Sequence, residues 1–371
     1  MPVTVSSAAM APCVGSLPSG PLDAITDVAG VSLGHCTLAD GAVQTGATVL
    51  LPQPGDLFLH KLPAGVDVIN GFGKSAGLMQ LQELGTLESA IALVGTVGVG
   101  TACNALVRDA MAHAPELARS LPTLNLLVLE CNDGWLHDAH TFALTEAHVM
   151  QALAAARRPE ELGAAVAQGS VGAGRGMSCH GLKGGIGSAS RCVTWEQQRY
   201  TMGALVLANQ GRPEALMLAG ARVGSVLQQR LAALSPTLEG SGPERGSIIM
   251  LLATDAPLDA RQLQRIARRA GAGLARTGSD YGHGSGDIAL AFSTAYRVPQ
   301  HASERLPMPR LLHESALDLL FQAAAEATEQ AIVHALFAAT TVTGRDGHTR
   351  RALTELAPDW PTLLASRPSS L

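Results

Sequence analysis

Aromatic and charged residues are scarce in this chain of 371 residues. Aromatic side chains make up 3% of the sequence and charged side chains 15%, against about 25% charged in an average soluble domain. Hydrophobic residues reach 47%, which excludes a disordered chain. Because there are 40 glycines and few aromatics, we expect a core of Ala, Val, Leu and Ile packed around close backbone contacts. Such a composition favours layered sheets and helices.

Basic clusters and long apolar runs are also missing. The net charge is −5, and no cluster of Lys and Arg is present to release counterions from a nucleic acid. No apolar stretch approaches the roughly 18 residues that span a bilayer. The first lysine is Lys61 and the first arginine is Arg108, so the basic start of a secretory signal is absent. We therefore expect a cytoplasmic protein with no nucleic-acid or membrane partner.

Metal and disulfide patterns are not found either. The cysteines are Cys13, Cys36, Cys103, Cys131, Cys179 and Cys192. No two of them form C-x-x-C, so we expect reduced thiols, mostly in the core. His137, His140 and His148, with Glu130 and Asp133 nearby, match no common set of metal ligands. The sequence thus predicts no metal site.

Strand-like and helix-like segments alternate along the chain, which predicts a layered α/β or α+β fold. Strands are predicted at residues 28–33, 47–51, 66–69, 91–94, 124–129, 204–207, 247–254 and 288–294. Helices are predicted at residues 75–84, 102–112, 141–156, 212–233, 257–274 and 315–337. In the helix after Pro257, arginines alternate with apolar positions, and Asp259 is the expected cap. Residues 235–246, rich in turn formers, resemble an exposed connector.

Two kinds of glycine-rich segment resemble known site motifs: a nucleophile elbow and a dinucleotide-binding turn. Gly73 to Gly77 satisfies G-x-S-x-G between a predicted strand and a predicted helix, the setting of a nucleophile elbow at Ser75. Its acid and histidine cannot be assigned, so this alternative stays open. The turns at 95–100 and 172–176 lack the full dinucleotide fingerprint, and tight backbone packing is the simpler interpretation.

A sharper signal lies where the connector meets the next strand, at Gly246-Ser247. A serine that follows glycine at such a junction can attack the preceding carbonyl, since glycine permits the strained geometry that the attack needs. Hydrolysis of the resulting ester would leave Ser247 with a free α-amine. That amine can then serve as the general base for the hydroxyl of the same residue.

Short motifs spread along the chain, in the order in which a known family has them, support self-cleavage at this point. They are Ile25-Thr-Asp-Val-Ala-Gly-Val31, Asn70-Gly-Phe-Gly-Lys74, Glu83-Leu-Gly85, Gly176-Met177, Lys183-Gly-Gly-Ile-Gly187, Gly246-Ser-Ile-Ile-Met-Leu-Leu-Ala-Thr-Asp-Ala-Pro-Leu258, Ala267-Arg-Arg-Ala270, Gly273-Leu-Ala-Arg-Thr-Gly278, Gly284-Ser-Gly-Asp-Ile288, Ala291-Phe-Ser-Thr294 and Thr343-Gly-Arg-Asp-Gly-His348. Over nearly the whole chain, the sequence resembles the self-processing aminopeptidases of the DmpA type, the L-aminopeptidase/D-amino-acid esterases of peptidase family P1.

The resemblance implies one domain, residues 1–371, in a four-layer α-β-β-α sandwich of the DmpA/ornithine-acetyltransferase type. It implies cleavage between Gly246 and Ser247 into an α chain, 1–246, and a β chain, 247–371, that stay together. Processed heterodimers would assemble into a homotetramer.

The resemblance also implies roles for individual residues. Ser247 would be the nucleophile, supported by Ser285 and Asp287, and Asn209 would bind the oxyanion through its side-chain amide. Relatives often have Glu where this chain has Asp287, so a backbone shift must restore the reach of the shorter side chain. Lys183 would either orient Asn209 or the nucleophile loop, or serve as a structural lysine.

Substrate binding is expected near the end of one predicted strand. Glu130 resembles the carboxylate that holds the free ammonium of the substrate, which suits an acid at the end of an apolar strand. Asn132 is a second substrate-binding candidate. The family has a catalytic Tyr in this segment, whereas this chain has Asn132 and Trp135 and no Tyr before Tyr200.

The implied activity is a serine aminopeptidase and amidase-esterase that removes N-terminal residues from small peptides, amides and esters through an acyl-enzyme on Ser247. No metal or organic cofactor is implied. A β-aminopeptidase and an oligo-amide hydrolase of the nylon-oligomer type are alternatives with the same fold. An unprocessed, non-catalytic homologue is the alternative from a different class.

Overall fold

Two β-sheets lie face to face in the computed structural model, which describes residues 11–234, 245–306 and 308–365. Its strands are β1 (Ser32–Asp40), β2 (Val43–Leu51), β3 (His60–Gly71), β4 (Thr86–Leu87), β5 (Ile91–Gly95), β6 (Leu127–Cys131), β7 (Ser178–Cys179), β8 (Leu182–Lys183), β9 (Gly185–Trp195), β10 (Gln198–Asn209), β11 (Met217–Leu218), β12 (Ala221–Arg222), β13 (Arg245–Thr254), β14 (Gly284–Ser293), β15 (Val298–Pro299), β16 (Val342–Thr343) and β17 (Thr349–Arg350). Its α-helices are α1 (Leu78–Leu84), α2 (Val99–His113), α3 (Glu146–Ala156), α4 (Gly224–Leu234), α5 (Ala260–Arg276), α6 (Leu317–Ala338), α7 (Leu353–Leu356) and α8 (Trp360–Ala365).

The sheets differ in size and strand direction. The smaller sheet has the order β1-β2-β5-β6, and the larger has the order β15-β3-β14-β13-β10-β9, with β4 paired to β3. In the larger sheet β13 runs parallel to β14 and antiparallel to β10. β13 occupies the interior of this sheet because its residues from Ile248 to Ala253 are apolar on both faces.

Alternate residues of β13 enter two different cores, as the period of a strand requires. Ile249 packs between the sheets with Leu129 of β6, whereas Met250 packs on the other side with Ile266 of α5 and Ile332 of α6. Helices α2 and α3 cover the outer face of the smaller sheet. The layers are therefore helix, sheet, sheet and helix, which confirms the four-layer α-β-β-α sandwich. None of the helices in the described ranges is both long and apolar enough to cross a bilayer.

Several predicted elements agree closely with the structure. The predicted strand at 247–254 is β13, and the amphipathic helix after Pro257 is α5. Asp259 caps α5, since its carboxylate accepts the backbone N–H of Gln262 at 2.7 Å. The glycines of the two glycine-rich turns, except Gly100, are packed against backbone or side chains: a Cβ on Gly174 would lie 2.5 Å from the nitrogen of Ile186.

Three other predictions differ from the structure. The strand predicted at 28–33 begins only at Ser32, because Gly30 adopts φ +89° in a turn. The helix predicted at 212–233 begins only at Gly224, because the hairpin of β11 and β12 turns through Ala219 and Gly220 with positive φ. Residues 185–195, not predicted as a strand, form β9. Of the connector predicted at 235–246, residues 235–244 lie outside the described residues.

Candidate active site

Ser247 lies near the start of β13, at the end of the larger sheet where three strands meet. It is registered with Asn209 of β10 on one side and with Gly286 of β14 on the other. Its hydroxyl Oγ accepts the backbone N–H of Gly286 at 3.1 Å, and only 6% of the residue is exposed. A buried hydroxyl that accepts a fixed N–H is held in one orientation and is stabilised if it becomes an alkoxide.

Ser285 and Asp287 flank Gly286 on β14. The hydroxyl of Ser285 donates to Oδ1 of Asp287 at 2.6 Å, and both residues are fully buried. The pairing of β14 with β3 shifts register between Asp287 and Ile288. Asp287 reaches Ser285 despite its short side chain, and the strand pairing is irregular directly after it. Gly286, the residue between them, donates its backbone N–H to Oγ of Ser247.

The side-chain amide of Asn209 is fixed at both ends. Its Oδ1 accepts the backbone N–H of Ser178 at 2.7 Å, and its Nδ2 donates to the carbonyl of Asn132 at 3.1 Å. Since the oxygen and the nitrogen each have a backbone partner of the right kind, the amide orientation is determined. One hydrogen of the Nδ2 group remains for another acceptor.

Glu130 lies near the end of β6 and is almost fully buried. Its Oε1 accepts the backbone N–H of Lys74 at 2.7 Å, and its Oε2 accepts the hydroxyl of Thr96. Neither partner is a cation, so the carboxylate is held in place without its charge being neutralised. This arrangement suits the binding of a substrate ammonium.

The loop at Gly73 joins the surroundings of Glu130 to those of Ser247. A Cβ on Gly286 would lie 3.0 Å from the Gly73 nitrogen and 3.2 Å from Oγ of Ser247. A Cβ on Gly73 would lie 3.5 Å from Oε1 of Glu130. The nucleophile candidate and the carboxylate therefore adjoin the same glycine loop.

The two carboxylates of the site also act on a common neighbour, Cys131. Burial raises the pKa of the Cys131 thiol well above its usual value, and the negative charges of Glu130 and Asp287 raise it further. Cys131 is therefore a neutral core thiol between the sheets. All six cysteines are free thiols, and Cys13 is exposed.

Asn132 contacts Asn209, and Trp135 lies three residues further along the same loop, in the segment where the family has a tyrosine. Asn132 is exposed, and its side chain accepts the backbone N–H of Gly134 at 2.8 Å while its carbonyl binds Asn209. The ring of Trp135 stacks on His348, with centroids 4.1 Å apart. Asn132 thus contributes its backbone rather than its side chain to Asn209.

Lys183 is completely buried, and its ammonium donates to three carbonyls. The acceptors are Gly174 at 2.8 Å, Met177 at 3.0 Å and Gly184 at 2.8 Å. Burial holds the pKa of Lys183 well below its usual value. Lys183 is a structural lysine, and it braces the segment that ends at Ser178, the partner of Asn209.

The alternative nucleophile, Ser75, is not hydrogen-bonded to a base. Its Oγ is buried and has no hydrogen-bond partner within the described ranges, so no histidine is hydrogen-bonded to it there. His137 accepts the backbone N–H of Gln44 at 3.3 Å. The described residues contain no group of three or more potential metal ligands.

Sequence reasoning missed two residues that shape the site, Thr96 and Ser178. Thr96 stands in a glycine-rich turn that was interpreted as packing alone, and its position directly after an apolar strand was the available signal. Ser178 binds Asn209 through its backbone N–H, which any residue other than proline provides. No sequence pattern marks such a contact.

The fold and the site together define a peptide-bond hydrolase. The chain belongs to peptidase family S58, whose sequence model matches residues 23–350, and it is an aminopeptidase.

Three relatives illustrate this membership. The β-peptidyl aminopeptidase BapA of Sphingosinicella xenopeptidilytica is 38% identical over 346 residues, covering 88% of this chain and 83% of the relative. The structure of a Burkholderia sp. β-aminopeptidase has a TM-score of 0.86 and 38% identity, covering 98% of this chain and 100% of that one. The L-aminopeptidase D-Ala-esterase/amidase of Ochrobactrum anthropi, described as a variant of the Ntn hydrolase fold, has a TM-score of 0.81 and 32% identity, covering 95% and 98%.

Proposed function

We propose that this aminopeptidase processes itself before Ser247 and then hydrolyses its substrates through an acyl-enzyme on the same residue. The observation that carries the proposal is the position of Ser247, with its Oγ held by Gly286 N–H and with Asn209 registered opposite.

In the processing step, Ser247 Oγ attacks the carbonyl carbon of Gly246. A C–O bond forms, the C–N bond of the peptide breaks, and the nitrogen of Ser247 leaves as an amine that takes up a proton. Water then hydrolyses the ester and leaves Gly246 with a free carboxylate. The products are residues 1–246 and 247–371.

The close packing of Gly246 supports its role before the nucleophile. It adopts φ +154°, and a Cβ placed on it would lie 2.2 Å from the carbonyl oxygen of Asn209. Only glycine fits so close to the neighbouring strand. The carbonyl to be attacked is therefore held beside the strand that carries the oxyanion donor.

In turnover, the free amine of Ser247 acts as the base for its own hydroxyl, which attacks the carbonyl of the substrate. The free hydrogen of Asn209 Nδ2 stabilises the tetrahedral oxyanion, and the Ser285–Asp287 pair supports the nucleophile from the neighbouring strand. Glu130 binds the substrate ammonium. This last contact restricts cleavage to the N-terminal residue.

Substrates of this site are small peptides, amides and esters with a free amine. Two of the relatives are named as β-aminopeptidases, and this favours β-amino-acid residues as a second candidate class. Hydrolysis of p-nitroanilides of L-, D- and β-amino acids by the purified protein distinguishes the classes. The family resemblance also supports a homotetramer of processed heterodimers.

Substitution of Ser247 tests the proposal, with Ser75 as a matched control. We expect Ser247→Ala to remain one chain and to lose activity on every amide and ester, because both the attacking oxygen and the future amine are affected. We expect Ser75→Ala to be processed and active. A processed and active Ser247→Ala would refute the mechanism, and an inactive, unprocessed Ser75→Ala would favour the elbow.

A further inference from the structure

The motif Thr343-Gly-Arg-Asp-Gly-His348 forms the turn of the β16–β17 hairpin and contacts the loop at 132–136. The backbone N–H of Arg345 donates to the Leu136 carbonyl at 2.8 Å, and Arg345 Nε donates to the Gly134 carbonyl at 2.7 Å. His348 Nδ1 lies 2.9 Å from the Trp135 carbonyl. The hairpin thus binds the backbone of this loop at three successive residues.

Gly344 shows that this contact is closely fitted. A Cβ on Gly344 would lie 1.9 Å from the carbonyl oxygen of Leu136, so a larger residue would push the hairpin away. Two ring contacts add to the fit: Trp135 stacks on His348, and the Arg350 guanidinium lies 4.5 Å from the centre of the Trp135 ring.

The same hairpin reaches the other neighbour of Asn209. Arg350 Nε donates to the hydroxyl Oγ of Ser178 at 3.0 Å, and the backbone N–H of Ser178 donates to Oδ1 of Asn209 at 2.7 Å. On the opposite side, Nδ2 of Asn209 donates to the carbonyl of Asn132, at the start of the loop that the hairpin holds. Both partners of the Asn209 amide are therefore attached to one hairpin.

We propose that Arg350, through Ser178, is a positioning residue for the oxyanion-binding amide of Asn209, an inference that rests on the proposed function of Asn209. An oxyanion donor is effective only when its direction is set before the reaction. Ser178 N–H fixes the oxygen end of the amide, and Asn132 takes one of the two Nδ2 hydrogens, which directs the other. Arg350 holds Ser178 in the position that this arrangement needs.

The position of the hairpin in the sequence adds a second consequence. Arg350 lies after the proposed cleavage point, whereas Ser178, Asn132 and Asn209 lie before it. After processing, the β chain would orient the oxyanion donor of the α chain by noncovalent contacts alone. The hairpin therefore couples chain association to catalysis.

Kinetics of Ser178→Ala, Arg350→Gln and the double variant test this inference. Ser178→Ala removes the hydroxyl but keeps the N–H, so it changes little besides the contact with Arg350. We expect each single variant to lower kcat per processed chain by about 10- to 100-fold with little change in KM. The double variant should be no worse than Arg350→Gln, since the residues act through one contact. Arg350→Lys should recover part of the loss.

Two references separate the possible failures. Arg230→Gln removes a guanidinium that binds Asp359 elsewhere, and it should leave kcat unchanged. Asn209→Ala measures how far kcat falls when the side-chain amide is removed altogether. If Asn209→Ala loses kcat while Ser178→Ala and Arg350→Gln keep it, or if their losses are fully additive, the positioning role is wrong. If Asn209→Ala keeps full kcat, the oxyanion assignment fails and the inference fails with it. A variant that lowers only the melting temperature would indicate a purely structural contact.

Discussion

Asn209 and Ser247 are registered opposite each other in the antiparallel pair of β10 and β13. Residues paired in this way point to the same face of a sheet, and a slip of one residue would send one of them to the other face. The strand pairing thus brings the amide donor and the nucleophile to one place. Glu130, the proposed ammonium-binding carboxylate, comes from the other sheet.

Replacement of Asn209 tests the oxyanion role. We expect Asn209→Ala to lower kcat on the order of 10²- to 10³-fold with KM nearly unchanged, because the lost hydrogen bond forms only in the transition state. Steady-state kinetics on a p-nitroanilide measure both constants. Gln198→Ala, an exposed amide at the other end of β10, should have normal kcat. A rise in KM with kcat unchanged would indicate ground-state binding instead.

Glu130→Gln tests ammonium recognition. The amide retains the shape of the side chain and loses its charge, so kcat/KM for substrates with a free amine should fall on the order of 10²-fold, as for other buried charge partners. Hydrolysis of N-acetylated analogues, measured in parallel, should not fall. Glu304→Gln, at an exposed position, is the control. Equal losses for free and acetylated substrates would contradict the ammonium role.

Gly246→Ala tests the close approach of β13 to β10. The added methyl group would lie 2.2 Å from the Asn209 carbonyl oxygen, so the strand must move and the scissile carbonyl with it. We expect this variant to remain unprocessed, or to process much more slowly, although Ser247 is intact. A time course on a denaturing gel measures the rate. Processing at the normal rate would show that the glycine is dispensable.

His35 should make the fold sensitive to acid. Burial lowers the pKa of its imidazole to about 4, below the value of about 6.5 in an unfolded chain. Protonation between pH 6.5 and 4 therefore favours unfolding, and the free energy of unfolding should fall by up to about 3 kcal/mol over this range. Stability from this source is complete above pH 6.5 and is lost as the pH falls.

Urea unfolding of His35→Gln at pH 7 and at pH 4.5 measures this contribution. The variant should lose less stability between the two pH values than the parent protein does. Burial also lowers the pKa of His334, so some pH dependence should remain. His140→Gln, at an exposed position, should behave like the parent protein. If His35→Gln and the parent protein lost the same free energy of unfolding between pH 7 and pH 4.5, the prediction would be wrong.

The parts of the fold that could be predicted are those whose signal is local. Residues of β13 form one apolar run, and α5 has both an apolar period and a cap at Asp259. β9 was missed because its glycines and serines are buried by distant parts of the chain, among them α6, more than a hundred positions later. A Cβ on Gly187 would lie 1.9 Å from the Ala331 carbonyl oxygen, which explains the glycine but is invisible in the sequence.

The site residues also fall into those that the sequence could predict and those that it could not. Ser247, Asn209 and Glu130 could be named because each is a reactive side chain at the end of an apolar segment in a motif that resembles a known family. Ser178 could not be named, because it binds Asn209 through its backbone N–H, and the single signal for Thr96 was its position directly after an apolar strand. Residues that react with or bind the substrate can be recognised by their type. The residues that hold them in place depend on which parts of the chain the fold brings together.

The intact mass of the purified protein under denaturing conditions, with N-terminal sequencing of each chain, tests self-processing at Ser247 most directly. We expect two chains, the smaller beginning Ser-Ile-Ile-Met, with masses that together equal the 38.2 kDa precursor plus one water. An active preparation consisting of a single chain of 38.2 kDa would contradict the proposal.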